Sequence, residues 1–440
     1  MATRVIDDTK LNDIAVAIQA KDSGGQMTID EMPTRIANIP SGGGIKEKTV
    51  NFYNYTGELL YSYTANEITE LTELPEAPTV QGMTFQTWNW SLANIKSWVQ
   101  NHDEGSLPVG AVFVIDDGHT RIYMHLREPK MASKEMPFCI QQMAGTVVIG
   151  WGDDSQPETI TAAGIYSHLW QVNSYPADVM IDIEYVPSGT TKLVLGWAVG
   201  NTTYGLFNNE TYYASCVEKV EYGTNTDMLI YSATFKNCSK LKSINLPMSF
   251  TSIGNYTFNG CKNLALTVLP DGITSIGNNA FSGCTNLALT VLPDSITSIG
   301  DGAFQGCTNL ALTVLPDGIT SISNYAFVDC TNLALTVLPD GITSIGNNAF
   351  NGCRNLALTV LPDGVTSIGG GAFQNCTSLY FIDLTAFTDP QAIPTLVSAN
   401  AFQNISATAQ FIVKNQEMYD AFTTATNWST YASKFVIEGA

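Results

Sequence analysis

The sequence predicts a multidomain, mainly β chain whose C-terminal half is a solenoid with a 23-residue period, preceded by small β domains and an N-terminal helical module. Three observations predict it. Phe235, Phe258, Phe281, Phe304, Phe327, Phe350 and Phe373 are spaced by 23 residues, and Cys238, Cys261, Cys284, Cys307, Cys330, Cys353 and Cys376 keep step with them. Strict periodicity of this kind is what stacked copies of one coil require, because each coil packs only on its neighbours. A chain of 440 residues exceeds one ordinary core and implies about two to four domains. Ahead of the repeats, a Gly-rich stretch and short runs of alternating apolar residues divide the chain into smaller units.

Composition excludes several classes of function. Lys and Arg number 20 against 40 Asp and Glu, a net charge of −20, which argues against nucleic acid as a partner and against a basic membrane-binding face. No run of 18 or more apolar residues exists, so no membrane insertion is expected. The N-terminus has one early Arg followed by acids, without the basic-then-apolar layout of a signal peptide. Nine Cys, an odd number, fit poorly with a disulfide framework and point to assembly in a reducing cytoplasm.

Residues 1–40 read as two short helices. Leu11, Ile14, Ala15 and Ile18 share one helical stripe, and a second helix opens at Met27–Pro33 and ends near Ile39. Ser41-Gly42-Gly43-Gly44 makes a flexible linker over 41–45. The pattern L-x-x-I-A-x-A-I-x-x-K at Leu11–Lys21, a Gly gap, then M-x-x-x-x-M resembles the N-terminal module of tail-associated structural proteins of bacteriophages and prophages. That resemblance implies particle attachment through Leu11, Ile14, Ile18, Met27, Met32 and Ile36.

Residues 46–130 form the next unit. Val50–Gly57 and Leu59–Tyr63 read as a hairpin, a helix is expected around Ser91–Gln100, and Gly110–Leu126 reads as a second hairpin through Asp116-Asp117-Gly118. The order resembles the β-grasp-like repeats of the internalin B-repeat type. Trp88, Trp90 and Trp98 suit either a carbohydrate-stacking platform or, more commonly, core packing. Residues 131–205 hold a strand ending in Trp151-Gly152-Asp153-Asp154-Ser155, then Tyr166 and His168, which resembles polycystic-kidney-disease (PKD) type β-sandwich domains. Asp153 and Asp154 supply too few ligands for calcium and suit a turn.

The solenoid occupies 206–405. In one coil Leu266 and Val268 flank Thr267 with strand alternation, Pro270-Asp271-Gly272 is a turn, and Ile273–Gly277 is a second extended piece. Ala280, Phe281, Cys284 and Leu287 then share one face of a short helical turn. The Cys column lacks the C-x₂₋₄-C pairs of structural zinc sites and reads as small buried thiols, with no metal and no cofactor. Pattern I-x-x-I-G-x-x-A-F-x-x-C-x-x-L resembles the BspA-like leucine-rich repeat, which implies a non-catalytic solenoid used in adhesion or recognition. Residues 406–440 resemble the C-terminal cap of such arrays.

No nucleophile motif, H-E-x-x-H, Walker or Rossmann pattern occurs, and no repeat Cys has a nearby His, so no catalytic residue is expected. Coils that agree at apolar positions differ just before and after each Phe; the stretch before it reads Gly-Asn-Tyr-Thr at 254–257, Gly-Asp-Gly-Ala at 300–303 and Ser-Asn-Tyr-Ala at 323–326. These differences mark one solvent-facing edge and give candidate partner-binding residues Tyr256, Asn278, Asn279, Asp301, Asn324, Tyr325, Asn347 and Asn348, or else neutral drift. Together the readings predict a structural and recognition protein of a phage or phage-derived particle (a virion tail fibre, receptor-binding or decorating component). It would be assembled in the host cytoplasm, homo-oligomeric, and bound to other particle proteins and to a bacterial surface glycan or protein. A bacterial surface adhesin and a polysaccharide depolymerase are the alternatives.

Overall fold

A computed structural model describes residues 49–53, 59–79, 83–88, 90, 92–101, 106–115, 119–127, 135–170, 176–188, 193–195, 198–199, 202–203, 206–207, 211–222, 228–230, 232–246 and 250–439. The expected helical module and linker, with Leu11, Ile14, Ile18, Met27, Met32 and Ile36, lie outside them. The chain divides into two compact units, residues 1–80 with 85–113, and residues 81–84 with 114–440.

The first unit holds β1 (Thr49–Tyr53), β2 (Leu59–Thr64), α1 (Ala65–Glu70), β3 (Met83–Trp88), α2 (Leu92–Asn101) and β4 (Ser106–Ile115), with strand order β2-β1-β4-β3. The expected first hairpin forms, Val50 facing Tyr63 and Phe52 facing Tyr61, and so does the expected helix. Helix α1 starts at a capping box in which Glu67 reaches back to the Thr64 backbone. Phe52 is fully buried edge-on to Trp88, 5.0 Å between centroids. The expected second hairpin does not form: β4 pairs in parallel with β1, while β5 (Thr120–Leu126) pairs with strands of the second unit. The boundary drawn at 130 therefore falls too late. Turn residues at 116–118 suggested adjacency, but the apolar alternation of β5 is satisfied in another sheet.

The second unit begins with β6 (Met136–Gln142), β7 (Gly145–Gly150), β8 (Glu158–Ile160), β9 (Gly164–His168), β10 (Ala177–Pro187), β11 (Leu193–Leu195), β12 (Ala198–Val199), β13 (Thr202–Thr203), α3 (Thr211–Ala214), β14 (Val217–Glu221), β15 (Met228–Ile230) and β16 (Ser243–Ile244). They build one sheet of order β16-β14-β5-β10-β7-β8 and another of order β15-β11-β6-β9. Strands β14 and β16 lie beyond the boundary expected at 205, so sandwich and solenoid are not separated there. β16 is the first short strand of the array, and it pairs in parallel with β14, Val220 facing Ile244. The first sheet thus closes the N-terminal end of the solenoid, where apolar surface would otherwise face water. One buried apolar core runs from Ile122 to Phe435.

Each coil contributes one two-residue strand: β17 (Ser252–Ile253), β18 (Ser275–Ile276), β19 (Ser298–Ile299), β20 (Ser321–Ile322), β21 (Ser344–Ile345) and β22 (Ser367–Ile368). They pair in parallel at the repeat register, Ser252 facing Ser275 and Ile253 facing Ile276. Ile points inward and Ser outward, as a period of two demands. The stretch at Leu266–Val268 is not a strand; of the two extended pieces expected, only the one after the turn forms a ladder. The Pro-Asp-Gly turn closes with Ile273 N donating to Pro270 O at 3.0 Å, repeated at 296, 319, 342 and 365. The expected helical turn is instead a succession of tight turns, Cys284 N to Phe281 O and Leu287 N to Cys284 O. Left-handed residues interrupt any helix: Asn279 has φ 53° and Gly283 φ 77°.

Inside, the Phe rings from Phe235 to Phe402 form one stack, with neighbouring centroids 5.0 to 5.8 Å apart. The Cys column is explained by a bond across coils. Cys261 Sγ donates to Phe235 O at 3.1 Å, and the same bond recurs from Cys284, Cys307, Cys330, Cys353 and Cys376. A thiol fills an apolar slot and still donates weakly to a carbonyl. Burial pushes the array thiols upward, Cys376 to about 12, which leaves them unreactive. In the last coil Ile405 takes the Cys position, after an interval of 29 residues between paired side chains.

A second close approach fixes glycine. A Cβ on Gly300 would meet Asn278 N at 2.6 Å, and one on Gly346 would meet Asn324 N at 2.6 Å. Neighbouring backbone cannot yield as a side chain can. Gly346→Ala should therefore cost about 1–3 kcal/mol, read as a lower denaturation midpoint; an unchanged midpoint would mean that the coils are less tightly stacked.

β23 (Phe381–Asp383) and β24 (Thr395–Leu396), which pairs with β22, end the array, and the cap contains β25 (Gln410–Val413), α4 (Gln416–Thr424), a 3₁₀ turn at Trp428–Lys434 and β26 (Phe435–Ile437). β23, β25 and β26 pair in parallel and continue the coil stacking. Trp428, Tyr431 and Phe411 close over Phe402, the last ring of the stack.

Candidate recognition surface

The eight candidate residues fall on two adjacent columns of the array. Asn278, Asp301, Asn324 and Asn347 form the first, with Asn255 below them. Each side chain accepts a bond from the next coil: Asp301 N to Asn278 Oδ1 at 2.8 Å, Asn324 N to Asp301 Oδ1 at 3.0 Å, Asn347 N to Asn324 Oδ1 at 2.8 Å. These residues hold coils together. Their sequence variation is restricted to groups that offer an Oδ1, except where Gly370 ends the run by donating to Asn347.

Tyr256, Asn279, Tyr325 and Asn348 form the second column, with Gly302 and Gly371. All six are left-handed, φ between 53° and 65°. Gly and Asn suit that conformation; a bulky side chain there costs about 1–2 kcal/mol. Two residues break the rule, Tyr256 and Tyr325, and they are 38% and 47% exposed. Lys236 Nζ lies 5.4 Å from the Tyr256 ring centre, a cation–π contact. The edge identified from the sequence is therefore exposed at its tyrosines. The constraint on each position, an accepted bond or a left-handed backbone, leaves no mark in the sequence beyond the Asn/Gly composition.

The strand face carries a groove that sequence reasoning missed. It has a volume of about 360 Å³ and is lined by Asp301, Ser321, Ser323, Asn324, Ser344 and Asn347, among others. No single segment of sequence marks it, because its lining is drawn from successive coils between Asp301 and Val397.

Upstream candidates serve the core. Trp88 and Trp90 are buried, and Trp88 Nε1 donates to Pro75 O at 3.0 Å. Asp153 is buried in its turn, accepting from Ser155 Oγ at 2.6 Å and pairing with His168 Nε2 at 2.8 Å. The His168 ring stacks on Trp151 with centroids 4.5 Å apart. His125 of β5 pairs with Asp178 of β10 at 2.6 Å, and His119, just before β5, pairs with Asp182 at 2.7 Å. Separations of 15 to 63 residues hid all three pairs in the sequence. Among the described residues no group of three or more His, Cys, Asp or Glu could hold a metal ion.

Residues 207–334 and 298–425 match the family model described as BspA type leucine rich repeat region, in six copies. Through this array the chain belongs to the BspA-type leucine-rich repeat family. A leucine rich repeat protein of T. pallidum is 31% identical over 33% of this chain and 68% of that one, with a TM-score of 0.26. A leucine-rich repeat protein of Eubacterium ventriosum is 21% identical over 41% of this chain, TM-score 0.32, and only 59% of its length is spanned. A leucine rich cell surface protein of Faecalibacterium prausnitzii is 19% identical over 54% and 94%, TM-score 0.26. With TM-scores this low, kinship rests on the repeat sequence. No curated protein matches the chain. The match to the BspA-type repeat begins at residue 207, so the phage-tail, internalin-type and PKD-type resemblances have no match behind them.

Proposed function

We propose that this protein is a non-catalytic recognition protein whose BspA-type repeat array presents a binding face to a bacterial surface. The supporting observation is the pair Tyr256 and Tyr325. Both stand exposed at left-handed positions where other coils carry Asn, Gly or, at 233, a buried Ala. Holding tyrosine there costs stability, and amphipathic aromatics supply contact area in binding surfaces. Bonds between coils hold both backbones, from Tyr256 N to Asn278 O and from Tyr325 N to Asn347 O, each 2.9 Å, so the rings project from a rigid frame. The setting in a phage or phage-derived particle, with residues 1–40 attaching it to other particle proteins, is proposed from the sequence alone, as is homo-oligomerisation.

Attachment of the labelled full-length chain to a panel of bacterial cells tests the reading. Tyr256→Asn with Tyr325→Asn keeps residues that the left-handed column already accepts, so the fold should be retained or slightly stabilised. Attachment should fall at least fivefold. Equal attachment by the folded double variant would remove this edge from recognition.

A further inference from the structure

We infer that the groove on the strand face over β20, β21 and β22 is a binding site for a neutral glycan, which deepens the recognition reading above and rests on it. One end of the groove, at Asp301, Ser323 and Asn324, lies where the array departs from its own rules. Five coils carry Gly at 254, 277, 300, 346 and 369; the coil between them carries Ser323. Because a Cβ in this column runs into the backbone of the preceding coil, Ser323 holds the two coils apart. The consequence is visible in the ladder. Thr297 N bonds Thr274 O and Gly300 N bonds Ile276 O, and both bonds return at Thr343 and Gly346, but neither is made between Thr320 and Thr297 or between Ser323 and Ile299. The Ser323 hydroxyl instead donates to Ile299 O at 2.6 Å, and the short strands divide into one group ending at β19 and another starting at β20.

Further departures share this place. Asp301 is the carboxylate in the Asn column, and its bond to Asn324 N is the longest of that ladder at 3.0 Å. Tyr325 follows the lining residue Asn324 and stands 47% exposed at φ 58°. Neutral drift does not favour placing a separating Ser and a left-handed Tyr in one coil, since each is costlier than the residue its neighbours carry. Strain gathered at one spot on a regular scaffold is the mark of a site.

The lining identifies the ligand class. It offers hydroxyls, amides and one carboxylate, and it contains no Lys or Arg. With a net charge of −20 on the chain, an anionic polymer is disfavoured. Ser321, Ser344 and Ser367 face one another in register across successive coils, and none of these hydroxyls bonds another described residue. Such groups both donate and accept, as sugar hydroxyls do. Successive coils lie one strand separation apart, ~4.8 Å, a spacing comparable to the length of one sugar ring, so neighbouring rings of an extended β-linked polysaccharide can meet neighbouring coils. Tyr325, exposed one residue after the lining residue Asn324, would supply the aromatic face for a pyranose ring.

The test uses the full chain against immobilised cellohexaose and chitohexaose, with heparin hexasaccharide as the anionic control. A neutral hexasaccharide should bind and heparin should not. The variant Asp301→Asn, Ser323→Gly, Tyr325→Asn restores the residues of neighbouring coils. It should melt at or above the parent temperature while binding at least tenfold more weakly. Binding retained within twofold, or no binding of either neutral probe, overturns the inference. A lower melting temperature overturns its premise that this coil is strained. Cell attachment that survives periodate but not protease would assign the face to a protein partner; attachment persisting without hexasaccharide binding would leave the recognition role intact and remove the glycan.

Discussion

Phe304→Ala should destabilise the array by about 3–5 kcal/mol, and the loss should be local. Phe304 is fully buried between Phe281 and Phe327, with ring centroids 5.5 Å away on each side and planes within 3° and 8° of parallel. Truncation opens a cavity that backbone cannot close, because Phe304 N donates to Ala326 O and Cys330 Sγ donates to Phe304 O from the next coil, while Phe281 N of the coil before donates to Ala303 O. Coils contact only those next to them, so melting should start around this coil before the ends give way. Chemical denaturation should show a lower midpoint and a broader transition. Hydrogen exchange should lose protection first in the coils flanking 304. An unchanged midpoint would show that the ring stack is not what holds the coils.

Trp428→Ala should have an effect of similar size, about 3–5 kcal/mol, by a different route. Trp428 is 1% exposed and packs on Phe402, Phe411, Phe422 and Phe435 with centroids between 5.1 and 5.9 Å away. Its Nε1 donates to Pro394 O at 2.7 Å. Removing the ring uncovers Phe402, which stacks on Phe373 at 5.0 Å and terminates the column. An uncovered solenoid end is an apolar face ready to meet another copy. Sedimentation should show self-association together with the lower melting temperature. A monomer of unchanged stability would mean that α4 and β26 seal the end without the indole.

The two variants separate what a coil owes to its neighbours from what it owes to the ends. Periodicity reveals the first directly. Phe, Cys and Pro recur at 23 residues because every interior coil meets the same surroundings, so the same residue is the best solution each time. The cap and the sandwich meet unique surroundings. Their contacts, such as β14 with β16 or Trp428 with Pro394, cannot be read from a repeat. For the same reason the sequence placed β5 with the wrong unit: its alternation announces a half-buried strand but carries no address.

The candidate surface was legible to a similar depth. Variation before each Phe located the edge and named Tyr256 and Tyr325. It did not show that Asn278, Asp301, Asn324 and Asn347 are occupied as acceptors for the next coil, or that the adjacent column is left-handed. Nor could a helical reading of residues 278–287 anticipate that two left-handed positions would break it into turns. The sequence by itself determined the period, the inward column of Phe, Cys and Ile, and the class of fold. Those follow from local pattern repeated at fixed distance. Tertiary structure alone decided which positions adopt left-handed backbone, where a thiol meets a carbonyl 26 residues away, and that the ladder is interrupted at Ser323, one of the residues lining a groove. Each of these depends on how closely one coil approaches the next, a distance that no single coil's sequence contains.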